Sequence, residues 1–306
     1  MMRFGLALFL ISTNLFASHI ETVCKSSKQP YPGRTNTWIS NAPSFSSDYL
    51  SRRVVDDQGT RYVVETFTGD QIFESSTRVR DLIKTTESLW LLGDYDLTQI
   101  DFTGAILGTF PIVFNPNPQT AKAISMKLVV DILYIARGNA GLTAFNTMTG
   151  KIVWHSELDE VESSKPVSAA FDGTNLQVLM TSTREGGFNG VATVNLDGKV
   201  VGQTAYNQRR AGVISPDAIA HWHQDRLVVN NGGWIHIITS KQLADQKPIR
   251  PKWVAVEMGD DMHLHYMMLN GDFYLENNML HGCGVYNERN GDEINRVARL
   301  FHVNLD

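Results

Sequence analysis

Four short segments share one register around a glycine: Phe67-Thr68-Gly69, Phe102-Thr103-Gly104, Met148-Thr149-Gly150 and Leu196-Asp197-Gly198. Three residues after each glycine stands an apolar residue, Ile72, Leu107, Val153 or Val201. Glycine supplies the positive φ of a tight hairpin turn, and the Thr or Asp before it can bond back to the turn backbone. The flanking apolar residues are expected to face a neighbouring sheet. Each segment reads as a β-hairpin, and the shared register makes the hairpin a repeat.

A second landmark fixes the period. Leu89, Leu133, Leu176, Leu227 and Phe273 each open a short β-rich run, expected to be the second strand of a repeat, at intervals of 44, 43, 51 and 46 residues. Units of that length holding four short strands are propeller blades, and no helical periodicity of comparable length competes. The predicted fold class is all-β, a β-propeller of about six four-stranded blades, with five or seven as alternatives. Blades are expected at 49–76, 79–111, 122–158, 166–206, 217–257 and 263–306. The segment FHVNLD ends on Leu305-Asp306, the pair that elsewhere precedes the turn glycine, so the last blade is expected to lack its outer strand. Pairing of N- and C-terminal strands would close the ring, with SRRVVDD (51–57) or RYVVETF (61–67) as the donor.

Composition sets the outer bounds. The 306 residues are 42% apolar and 19% charged, a globular profile with material for a core. A formal charge of −5 leaves no cationic excess for phosphates, so no nucleic-acid partner is expected. Arg3, the apolar run Phe4 to Ile11 and the small-residue end Leu15-Phe16-Ala17 match a secretory signal cleaved after Ala17. That run is shorter than the roughly 20 residues of a membrane span, and no transmembrane segment is expected. Val23 before Cys24 argues against a lipid anchor. The expected organisation is a signal peptide at 1–17, an N-terminal arm at 18–48 and a propeller domain at 49–306. The protein is expected to be exported, periplasmic or secreted, and monomeric.

The stretch GLTAFNTMTGKIVW, residues 141–154, resembles the quinoprotein-type (PQQ-like) β-propeller repeat. In that repeat a small apolar strand ending in Asp or Asn leads through a Thr-Gly-Lys turn to a strand closing on Trp. The resemblance is strong over 122–158, fair over 79–111 and 166–206, and weak elsewhere. It implies a propeller and no more. The quinone-dependent dehydrogenases of the group carry a larger propeller and often a vicinal disulfide, whereas this chain has no adjacent cysteines, so no cofactor is carried over. Exported non-enzymatic members of the group act as assembly and adaptor scaffolds, which is an analogy of fold.

In a four-stranded blade the loops from strand two to three and from strand four to the next blade emerge on one face. Here those loops are the longer and chemically richer ones, and loops placed by a rigid scaffold concentrate binding residues. The expected ligand-binding face carries Tyr206, Arg209, Arg210, Trp234, Arg184, Asn231, His263 and His265. Trp90, Trp154, Trp222 and Trp253 are expected between sheets, which leaves Trp234, beside two glycines, as the exposed aromatic.

No metal site is expected. His221/His223 and His263/His265 sit six and ten residues before their strand landmarks, an offset of about 13 Å along a strand. That exceeds what ligation at about 2.0–2.1 Å allows. Asp94, Asp96, Asp260 and Asp261 are expected to form turns, since no calcium loop, nucleophile elbow, zinc helix or phosphate loop accompanies them. Two functions follow. The first is a non-catalytic binding or scaffold module for a protein, peptide or glycan, with no catalytic residues. The alternative is a propeller enzyme, such as a metal-assisted hydrolase or lactonase, with polar ligands at the central channel. Cys24 and Cys283 are the only cysteines. Export permits their disulfide, with Cys283 expected in a loop; two free thiols are the competing expectation.

Overall fold

A computed structural model describes residues 19–24, 29–30, 37–38, 43–112, 122–182, 187–207, 213–231, 234–249, 252–254, 268–290 and 293–305. Strands β1 (Gln29–Pro30) and β2 (Thr37–Trp38) pair with each other alone. The fold is an all-β propeller whose remaining strands form six antiparallel sheets in sequence order. Five are four-stranded: β3–β6 over 44–75, β7–β10 over 81–111, β11–β14 over 125–156, β15–β18 over 165–205 and β19–β22 over 219–254. The sixth has three strands, β23 (Met268–Glu276), β24 (Met279–Asn290) and β25 (Glu293–Asn304). The chain divides into two compact units, one holding the first and last blades and the other the strands of the four blades between them.

Local physics accounts for the blade interiors. Leu89, Leu133, Leu176 and Leu227 lie near the start of the second strands and are fully buried. In the second unit their runs are mostly apolar, since a central strand is covered on both faces: every residue of β8 (Leu89–Leu92) and β16 (Leu176–Thr181) is buried, with the polar Gln177 and Thr181 of β16 hydrogen-bonded. Neighbouring blades are also tied by polar side chains on their first strands. The Met126 N–H donates to Asp81 Oδ2 at 2.7 Å, Ser125 Oγ donates to the Val167 carbonyl at 2.9 Å, and the Ala220 N–H donates to Ser168 Oγ at 3.0 Å. In the first unit the Phe45 N–H donates to Asp272 Oδ2 at 3.0 Å and links the first blade to the last. These bonds satisfy buried groups that would otherwise cost about 1–3 kcal/mol each.

The repeat glycines adopt the expected positive φ, 64° at Gly150 and 85° at Gly198. They also have a second role. A Cβ on Gly198 would lie 3.0 Å from the Trp154 ring, and one on Gly150 would lie 2.6 Å from the Phe110 ring. In each case the ring comes from the outer strand of the preceding blade. Trp154 also donates its Nε1–H to the Leu196 carbonyl at 2.9 Å. In the first unit a Cβ on Gly104 would meet the carbonyl of Ile72, and one on Gly69 would meet the His19 imidazole at 3.0 Å. Residues 19–24 are helical. The N-terminal helical segment thus fills, on the first blade's turn, the seat that an outer strand fills on the others. Its His19 Nε2 reaches buried Glu65 at 3.2 Å, which Arg52 Nε holds at 2.7 Å.

A substitution separates the two glycine roles. Gly173 has φ 98° with open space around its α-carbon, so Gly173→Ala should lower the unfolding free energy by about 1 kcal/mol through backbone strain alone. Gly198→Ala should cost about 2 kcal/mol, because strain and crowding of Trp154 add. Equal urea midpoint shifts for the two variants would remove the seat as a stabilising contact.

Five expectations change. Three of the four residues that stand three after a repeat glycine, Leu107, Val153 and Val201, are exposed and do not face a neighbouring sheet. Each of the four is the extra residue of a β-bulge in the outer strand, because the pairing skips Ile72, Leu107, Val153 and Val201. Leu107, Val153 and Val201 are 56%, 55% and 53% exposed. A bulge twists an edge strand out of register for pairing with another chain, so the repeat protects its own edges. In the third and fourth blades, Asn146 and Asn195 bond back to the turn amides, in place of the Thr or Asp beside the glycine. Phe273 lies on β23, the first strand of its blade; buried Leu280 on β24 takes the second-strand place.

Residues 51–57 and 61–67 do not complete the last blade, since their strands β4 (Tyr49–Asp56) and β5 (Gly59–Thr66) are the central pair of the first. Among the described residues the link from the N-terminal segment to the last blade is covalent. Cys24 is bonded to Cys283 with Cα atoms 5.2 Å apart, and Cys283 lies on β24 rather than in a loop. Both sulfurs are buried with Ile20, Val23, Phe45 and Leu50.

Candidate functional site

The loop-bearing face of the second unit is built by strand ends. Strand β20 (Arg226–Asn231) stops at Asn231, and β21 (Trp234–Thr239) starts at Trp234 directly opposite it. Asn231 is buried. Its Oδ1 accepts the Ser215 N–H at 2.7 Å, and its Nδ2 donates to the Val213 carbonyl at 3.3 Å. Asn231 therefore pins the incoming segment to the strand end, which is a positioning role rather than a ligand contact. Trp234 is 45% exposed and Val213 54%, so two apolar side chains flank this pinned corner. A rigid aromatic with two χ angles loses little entropy on binding.

Tyr206 is not on this surface. It is 3% exposed, lies in the core with Leu227, Val229 and Ile238, and stands 5.8 Å from the His236 ring. Burial pushes its hydroxyl well above the ordinary tyrosine range, and the hydroxyl has no hydrogen-bond partner among the described residues. A large apolar body with one polar tip suits either a core or an interface, and the strand-end position alone did not distinguish them. Arg184, Arg209, Arg210, His263 and His265 lie outside the described residues, as do Asp260 and Asp261.

Other polar groups on these loops prove structural. Arg80 Nε meets Asp94 at 2.5 Å and Lys122 Nζ meets it at 3.0 Å. Partial burial opposes ionisation of Asp94, but the hydrogen bonds from Lys122 and Arg80 outweigh it and hold the carboxyl below its usual range. Asp96 is raised, by burial first and by the Asp94 charge second. His221 and His223 alternate with Trp222 on β19 (Ile219–His223), with Trp222 packed against the core. Among the described residues no group of three or more His, Cys, Asp or Glu is placed to hold a metal ion.

Arg137 escaped the sequence reading. It follows β12 (Ile132–Ala136) in what reads as a polar loop, yet it is fully buried, and desolvation lowers its pKa. Its charge helps burial to depress His155, which meets Thr143 Oγ1 at 3.1 Å through Nδ1. Nothing local distinguishes such an arginine from a solvated one, because a single Arg-Gly-Asn loop is compatible with both.

No family model matches this chain, and no curated protein matches it. Solved structures do. The chain is similar to the WD40 domain of coronin from Toxoplasma gondii, with 10% identity, 85% of this chain and 69% of that one covered, and a TM-score of 0.51. BamB from Moraxella catarrhalis shares 14% identity over 84% of this chain and 71% of its own, with a TM-score of 0.46. PorZ from Porphyromonas gingivalis shares 11% identity over 83% of this chain and 32% of its own, with a TM-score of 0.48. The coronin likeness shows the propeller fold and nothing further. Among the described residues, no helix is long and apolar enough to cross a membrane.

Proposed function

We propose that the protein is an exported, non-catalytic propeller that binds a protein, peptide or glycan partner through the loop-bearing face of its second unit. The observation that carries this reading is Trp234, a large aromatic held out at a strand end that Asn231 pins in place. Aromatic and arginine side chains dominate interface hot spots, and the chain sets Arg184, Arg209 and Arg210 in loops expected on the same face. Export is supported by the buried Cys24–Cys283 bond, which an oxidising compartment preserves. On this reading residues 1–17 are a signal peptide, the stapled arm runs from residue 18 to the start of the first blade at Ser44 rather than to residue 48, and the mature protein acts as a monomer.

The test is capture of a partner from envelope extract by the immobilised protein. Arg209→Ala combined with Trp234→Ala should weaken capture at least tenfold while leaving the melting temperature within about 2 °C, because Trp234 is 45% exposed and surface substitutions change stability little. Undiminished capture, or a collapsed fold, would count against the assignment.

A further inference from the structure

The last blade carries a row of rings that the proposed binding face does not use. Tyr274 on β23, His281 on β24 and His302 on β25 stand directly opposite one another in the strand register. The Tyr274 and His281 rings stack with centroids 4.7 Å apart and planes 9° apart. The His281 and His302 rings meet edge to face, 4.8 Å apart at 78°, with their Nδ1 atoms 2.6 Å from each other. Two imidazole nitrogens at that distance cannot both carry a proton; they share one proton, or they move apart to share a metal ion.

We propose that His281 and His302 form a two-imidazole site for one divalent transition-metal ion of the copper, nickel and zinc class. Imidazole suits these ions, and copper binds such nitrogen sites most tightly. Metal–nitrogen bonds of about 2.0–2.1 Å at angles between square and tetrahedral place the two nitrogens roughly 3 Å apart. The pair therefore needs to open by less than about 1 Å to admit an ion. His302 is exposed and has room to swing. His281 is half-buried and clamped by Tyr274, whose own ring packs on Phe45 and Phe67. One ligand is thus fixed and one adjustable, which lowers the ordering cost of binding.

The surroundings fit the same chemistry. The rung on the inner side holds Cys283 and Leu300, in the apolar cluster around the disulfide. The next rung outward on the same face holds Glu276, Met279 and Asn304. That row offers a carboxylate, a thioether and an amide about one side-chain repeat away, and with water these can fill the remaining coordination positions. The sequence hid this site because residues 281–291 read as a loop. Only the pairing of β24 with β25 sets two histidines 21 positions apart face to face.

The test is calorimetric titration of the purified, disulfide-bonded protein with Cu²⁺, Ni²⁺ and Zn²⁺ salts, with no partner present. The expected result is one ion per chain, tightest for Cu²⁺. His302→Ala should weaken it at least tenfold; Tyr274→Phe, which keeps the stack, and His221→Ala, on another blade, should leave it unchanged. If His302→Ala does not fold, His302→Asn serves in its place, since a side-chain amide at an exposed strand position is tolerated and lacks the imidazole. The proposal is overturned if no ion binds or if the His302 variant binds as tightly as the parent. Either result leaves partner capture through Trp234 untouched.

Discussion

Replacing Cys24 and Cys283 together by Ser should lower the unfolding free energy by about 4–5 kcal/mol. The bond closes a loop across 259 residues of sequence separation. In the chain-entropy description a loop that long takes about 5 kcal/mol of conformational freedom from the unfolded state. The native side adds to this, because both sulfurs are buried and the bond holds the helical segment whose His19 covers the Gly69 turn and meets Glu65. Urea denaturation of the parent protein, with and without reductant, and of the double variant measures the effect. Hydrogen exchange should rise first in the first and last blades, which share a compact unit with Cys24 and Cys283. Matching urea midpoints for parent and variant would show that noncovalent packing alone holds the segment.

Acid should destabilise the fold well before the carboxylates titrate. His236 is 1% exposed, and burial pushes its imidazole down to about 4 from an ordinary value of 6.5. At pH 7 it is neutral in both states and its contribution to stability is complete. As pH falls through about 6.5 the unfolded chain takes up the proton while the folded chain does not, so stability declines until the pH reaches about 4 and then levels. The loss across that window should be about 3 kcal/mol, at 1.36 kcal/mol per unit of separation. His155 is depressed by burial and by Arg137, and acts in the same direction. Asp94, held low despite partial burial, contributes stability that is lost only at more acidic pH. Urea midpoints between pH 7 and 4.5 should slope for the parent protein and slope less steeply in His236→Gln, where His155 and the half-buried His281 keep their shares. An undiminished slope in that variant would assign the effect to other groups.

Of the eight residues expected on the proposed binding face, five lie outside the described residues, Trp234 is exposed, and Tyr206 and Asn231 are buried, for specific reasons. Trp234 was legible because two adjacent glycines and a strand start put it at a corner, where a large ring has no sheet to cover it. Tyr206 and Asn231 were misjudged because a strand end fixes where a residue sits along the chain and not which way its side chain turns. The Tyr274–His281–His302 row was invisible for a stronger reason. Its members lie on three strands: the positive-φ Asn277-Asn278 turn sets β23 against β24, but nothing beside His281 or His302 sets the register of β24 against β25.

By itself the sequence determined what depends on neighbours along the chain. Positive φ at Gly150 and Gly198, apolar runs at Leu89, Leu133, Leu176 and Leu227, and a period of 43 to 51 residues dictate hairpins, strands and blades. Tertiary structure decided what depends on facing partners. One bulged residue per outer strand turned Leu107, Val153 and Val201 from inward-facing to exposed, because side chains alternate with a period of two and a single insertion reverses the face. The same dependence made His19 the occupant of the Gly69 seat and paired Cys24 with Cys283. Those contacts join segments far apart along the chain, and they exist only once folding has brought the first and last blades together.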